Sequence, residues 1–87
     1  RRIRAFAPRP GAWTTWRGQR LKLHRAGALA EREGPPGRVW RAGADGIDVA
    51  AGEGSVRVLE LQSPGGRVLT AREFLNGRAL LGEQLGA

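Results

Sequence analysis

The residues with the most chemical potential in this chain are tryptophans set among arginines: Trp16-Arg17, Trp40-Arg41, and Trp13 four positions before Arg17. An exposed indole stacks on an unpaired base and an arginine pairs with phosphate, so aromatic and cationic groups interleaved in this way suit nucleic acid. Groups that suit catalysis are sparse. The single histidine, His24, lies between cations and has no cysteine and no second histidine with which to form a nucleophile pair or a metal site. It reads as a solvent-facing strand residue. Asp45, Asp48, Glu53 and Glu60 fall in expected turns and strands, without the features of an acid–base pair. No catalytic, cofactor-binding or metal-ligating residue is therefore expected.

Two glycine-rich stretches have bland explanations. "GADGIDVAAGEG" lacks the ordered strand, G-x-G-x-x-G and helix of a dinucleotide site and the Gly-Lys-Ser/Thr of a phosphate-binding loop. "PGGR" at 64–67 offers an anion a backbone cradle beside an arginine, but a hairpin turn accounts for it.

Charge supports the polyanion reading. Fifteen Lys and Arg against eight Asp and Glu give a formal +7, and all but Lys22 of those cations are arginine. Neutralising a phosphate backbone releases its counterions, which supplies affinity without sequence preference. Arginine adds bidentate pairing with phosphate.

The elements that must position these groups are short strands. Turn signals recur at "RG" 17–18, "EGPPG" 33–37, "GADG" 43–46, "GEG" 52–54 and "SPGG" 63–66. Short strands at this spacing argue a small sandwich or closed barrel. In "RLKLHRA", Leu21 and Leu23 alternate with Arg20, Lys22 and His24, giving a core face and a basic face. In "GIDVAAG", Ile47, Val49 and Ala51 share one face and Asp48 and Ala50 the other, which predicts a half-buried strand. "SVRVLELQ" breaks parity, because Val56 and Val58 oppose Leu59 and Leu61. Either a bulge near Val58 and Leu59 or burial of both faces along a long strand resolves it.

One helix is expected, in "TAREFLNG", with Thr70 as N-cap, Glu73 as its capping-box partner and Gly77 at the end. Phe74 and Leu75 are expected to be buried and Arg72 solvated. "RRIRAF" suits the last turn of a helix stopped by Pro8. Among the tryptophans, Trp13 is assigned to the core, Trp16 is left open, and Trp40 is expected to be partly exposed because Val39 must point the other way.

With 87 residues, one domain with a small core is expected. No apolar run approaches the roughly 20 residues of a membrane-spanning helix. The absence of cysteine removes disulfides and fits a reducing cytoplasm.

Together "IRAFAPRPGAWT", "RLKLHRA", "PGRV", "DGIDVAAGEGSVRVLELQ", "GGRVLTAREFLNG" and "GEQLG" resemble, in order and across nearly the whole chain, the C-terminal domain of methionyl-tRNA formyltransferases. The resemblance implies a Greek-key β-barrel of five or six strands related to the oligonucleotide-binding fold, with a short helix near 70–76. Residues 1–11 then form an interdomain connection stiffened by Pro8 and Pro10, and residues 12–87 the barrel. Many relatives have Trp where this chain has Arg9.

The resemblance further implies a partner, initiator tRNA gripped through its phosphates, and a separate N-terminal catalytic domain that holds the formyl donor, 10-formyltetrahydrofolate. Strand alternation and turn exposure select Arg20, Lys22, Arg25, Arg38, Arg41 and Arg67 as the tRNA-contacting cations. Two rivals stand beside this reading: a structural module of a 10-formyltetrahydrofolate-processing enzyme, and a generic single-strand binder that stacks bases on Trp16 and Trp40.

Overall fold

In a computed structural model that describes residues 13–86, β1 (Trp13–Trp16) and β2 (Gln19–Leu29) form a hairpin around Arg17 and Gly18. Both turn residues have positive φ, 52° and 80°, the geometry whose twist matches that of the flanking strands. β3 (Val39–Gly43) and β4 (Gly46–Ala50) form a second hairpin across Ala44-Asp45. β5 (Ser55–Gln62) then inserts between β4 and β2, antiparallel to both.

The resulting order, β1-β2-β5-β4-β3, contains the Greek-key arrangement β2-β5-β4-β3. β6 (Val68–Thr70) pairs with residues 60–62 of β5, continuing the edge that β4 occupies lower down. These six strands curl into a half-barrel.

The curl has a visible origin. Pairing between β2 and β5 runs Leu23↔Leu61, Arg25↔Glu60, Ala26↔Val58, so His24 is an extra residue on β2 and Leu59 an extra residue on β5. Two bulges, one on each strand, bend the pair sharply. The bulge expected near Val58 and Leu59 is present. It lets both Val58 and Leu61 reach the core three positions apart.

Helix α1 (Ala71–Leu75) sits on the open side of the sheet. Thr70 Oγ1 accepts from the Glu73 amide at 3.1 Å and Glu73 Oε1 accepts from the Thr70 amide at 2.9 Å, the reciprocal cap anticipated from sequence. That hydrogen bond from Thr70 holds the Glu73 carboxyl below its ordinary range, more than solvent loss raises it. Phe74 is completely buried and meets Trp16 edge to face at 6.1 Å. Leu21, Val39, Ile47, Val58, Leu61, Leu80 and Leu85 complete the core around it, while Arg72 is solvated.

β1 and β3, the two free edges, are joined by the C-terminal segment. The Gly82 amide donates to Val39 O, Leu85 N to Gly37 O, and Gly86 N to Thr15 O, while Val39 N donates to Glu83 O. Residues 82–86 thus lace one edge to the other. Glu83 reinforces the lacing by accepting from Trp16 Nε1 at 2.9 Å and from Arg17. The Arg17 bond, then the Trp16 bond, keep the Glu83 carboxyl below its usual range.

Candidate nucleic-acid interface

The hairpin register decides which cations share a surface. Trp13 stands directly opposite Lys22, and Lys22 directly opposite Gln62, so one row crosses β1, β2 and β5 on one face. Arg20, two residues from Lys22, lies on the same face, with its guanidinium 4.2 Å from the centroid of the Trp13 ring. Arg20 and Lys22 also line a shallow groove closed by Gln62, Ser63, Pro64 and Gly65. The floor of that groove is the β5–β6 turn, held by the Gly66 amide donating to Ser63 O and by Gln62 Nε2 donating to Gly66 O. Turn geometry therefore accounts for "PGGR", and exposed Arg67 stands at its exit.

Trp13 is half exposed, at 50%, which corrects its assignment to the core. It lies at the outer end of the edge strand on the face away from Leu21. Arg20 covers it where apolar side chains were expected to. Trp16 and Trp40 are both partly buried: Trp16 packs on the core, and Trp40 donates Nε1 to Ser55 Oγ at 2.8 Å. His24 is exposed and hydrogen-bonded to Gln62.

The remaining expected cations are placed differently. Arg25 is exposed but lies 3.7 Å from Glu60. Arg38 is exposed on the far side of the sheet, where it bridges to Gln84. Arg41 is also on that side, committed to a buried carboxylate. Arg41, Asp48 and Arg57 stand directly opposite one another across β3, β4 and β5. Arg41 Nε reaches Asp48 at 2.6 Å and Arg57 Nε at 2.8 Å.

Asp48 is fully buried, so β4 is covered on both faces at its centre and is not the half-buried strand expected. The two arginine stems lie over a carboxylate that alternation alone would leave in water. Burial pushes the Asp48 carboxyl up, but hydrogen bonds from Arg57 and Arg41, together with their charges, outweigh it and hold the carboxyl below its ordinary range. Arg41 also lies 4.5 Å from the Trp40 ring.

Of the six expected cations, Arg20 and Lys22 line one groove, and Arg67 is exposed beyond the turn that closes it, where its charge acts on Glu73. Arg25 is ion-paired beside the groove, and Arg38 and Arg41 belong to the opposite end of the sheet. Arg57, missed from sequence, is a structural cation, and the signal for it was the Arg-x-x-x-x-x-x-Asp and Asp-x-x-x-x-x-x-x-x-Arg spacing across two short turns. The net charge is also distributed unevenly. Arg1, Arg2, Arg4 and Arg9 lie outside the described residues, whereas all eight carboxylates lie within them. The proposed helix end at 1–6 and the Arg9 difference lie outside the described residues as well.

A half-barrel of Greek-key topology, with a capped helix packed on it and a groove lined by Arg20, Lys22 and Gln62, defines a small antiparallel β module with an anion-compatible face. No group of three or more potential metal ligands occurs among the described residues, and none of their helices is long and apolar enough to cross a membrane.

The family is given by comparison: residues 1–79 match the model of the formyl transferase C-terminal domain, and the chain belongs to that family. It is 54% identical over 80 residues to methionyl-tRNA formyltransferase of Myxococcus xanthus, 51% over 81 residues to that of Burkholderia thailandensis, and 47% over 79 residues to that of Stenotrophomonas maltophilia. These alignments cover 90 to 92% of this chain but 25 to 26% of the relatives, so the chain spans about a quarter of their length.

Proposed function

We propose that this module is the tRNA-gripping domain of a methionyl-tRNA formyltransferase, holding initiator Met-tRNA by its phosphates for N-formylation in the cytoplasm during translation initiation. The observation that carries this reading is the groove lined by Arg20 and Lys22, on a face where no described carboxylate pairs with either. Uncompensated cations on a rigid sheet are what a phosphate backbone needs. Kinship to proteins named for methionyl-tRNA selects the polyanion.

The contribution to the reaction is positional. Holding the tRNA body fixed shortens the search of its aminoacyl end for the donor, and such pre-paid orientation is worth several kcal/mol, up to roughly 7–11 in ideal cases. The formyl donor, 10-formyltetrahydrofolate, belongs to a catalytic domain joined through residues 1–11. The chemical step is assigned to that domain, and the described residues are assigned the hold on the tRNA body.

The test is binding of the 87-residue chain to initiator tRNA and to a structured RNA of equal length across a salt series. Salt-sensitive binding of both RNAs is expected, with selectivity residing elsewhere. Failure to bind either RNA at low salt would leave the barrel a structural module.

A further inference from the structure

We infer that Trp13 and Arg20 form a stacking platform for one unpaired nucleobase, so that the gripping face takes single-stranded RNA as well as duplex backbone. The inference rests on the tRNA-gripping reading above and adds a second kind of contact to it. Three observations converge.

The first is that Trp13 differs from its two counterparts. Trp16 spends its indole N–H on Glu83 and its ring on Phe74, and Trp40 spends its N–H on Ser55. Trp13 has half its surface in solvent, and the Arg20 guanidinium stands 4.2 Å from its ring centroid. A large indole left in water on a strand end carries an exposure cost that a stacked base removes.

The second is the setting. Lys22 stands directly opposite Trp13 in the register, and Arg20, whose guanidinium lies over the indole, lines the groove together with Lys22. Charges of the right sign for a flanking phosphate therefore sit within one side chain of the aromatic face. A base entering on the indole either displaces Arg20 from the ring or adds to the other face of the ring. In both cases the guanidinium remains close enough to reach the phosphate beside that base.

The third is rigidity. Trp13 belongs to a four-residue strand fixed by its pairing with β2 and by the tail bond from Gly86 to Thr15. Little ordering entropy is then lost when a base docks.

The experiment compares a short single-stranded RNA with a hairpin duplex of equal phosphate count, each titrated into the full 87-residue chain carrying 5-fluorotryptophan at its three tryptophans. The fluorine resonance of Trp13, assigned through Trp13→Phe, is expected to shift with the single strand and to stay in place with the duplex. Trp13→Ala is expected to weaken single-strand binding roughly tenfold and leave duplex binding and its salt slope unchanged. An unmoved Trp13 resonance, or equal losses for both RNAs, overturns the platform while leaving the phosphate grip intact. Absence of binding by either RNA removes the grip itself and the platform with it. The resonance measurement on the unsubstituted chain decides the matter even where Trp13→Ala unfolds.

Discussion

At one end of the sheet, Arg41 and Arg57 close over Asp48; at the other, Arg20 and Lys22 pair with no carboxylate among the described residues. Residue type does not separate the two regions, since each sets two basic side chains on the sheet, Arg41 and Arg57 on β3 and β5 and Arg20 and Lys22 together on β2. What separates them is the residue directly opposite. An aspartate between two arginines converts them into part of the core's outer wall, whereas Trp13 and Gln62 leave Lys22 its charge to offer. Counting cations therefore overstates a binding surface unless the register is known.

The comparison breaks most visibly at Asp48. Asp48→Ala leaves Arg41 and Arg57 without their shared acceptor and is expected to cost about 2–4 kcal/mol, softened from the fully buried case because both guanidinium groups reach solvent. For a domain of this size that corresponds to a melting point lower by roughly 10–30 °C, read by thermal unfolding. Affinity of the remaining folded protein for RNA is expected to stay as it was. If affinity fell in step with stability, the two ends of the sheet would not be separable.

The same carboxylate predicts a pH dependence. Because the folded-state pKa of Asp48 is depressed, its stabilisation is fully present above the unfolded value near about 3.9 and is lost as pH falls through the lower folded value. Urea midpoints measured downward from about pH 5 should fall more steeply for the parent than for Asp48→Asn, which has no proton to take up there.

Lys22→Glu is the converse experiment. Stability should stay within about 0.5 kcal/mol, since Lys22 is exposed and forms no ion pair with the described carboxylates. RNA affinity is expected to fall roughly tenfold at moderate salt, and the slope of log affinity against log salt to shrink by about 1 to 2. Thr70→Ala, which touches neither end, should cost about 1 kcal/mol through loss of the N-cap and leave RNA binding unaltered. Smallest of all, Arg25→Gln should change stability by less than about 0.5 kcal/mol, because its pair with Glu60 is long and exposed.

Which of these sites sequence makes legible follows from the range of the interactions involved. Thr70 and Glu73 cap within one turn, so spacing alone identifies them. Leu21 and Leu23 against Arg20, Lys22 and His24 is likewise a local alternation, and it correctly divides core from surface. Asp48 fails the same rule because its neighbours in space, Arg41 and Arg57, come from two other strands, and alternation is blind to what covers a face. Trp13 fails for a related reason: its companion is a diagonal neighbour across a hairpin, and bulk alone suggests burial. The segment "GEQLG" has no strand-like pattern, yet its backbone amides and carbonyls do the work of the strand absent between β1 and β3.

That lacing has a consequence for synthesis on the ribosome. Residues 82–86 bond to Thr15, Gly37 and Val39, partners tens of positions earlier, so the seam between β1 and β3 stays open until residue 86 has left the exit tunnel. Until then Leu85 is missing from the core, and Trp16 and Arg17 lack the Glu83 carboxylate that joins them. The nascent half-barrel is thus a vessel with an unsealed side, and a stall or frameshift within codons 82–86 yields a chain with nearly all its strands and no means of closing them.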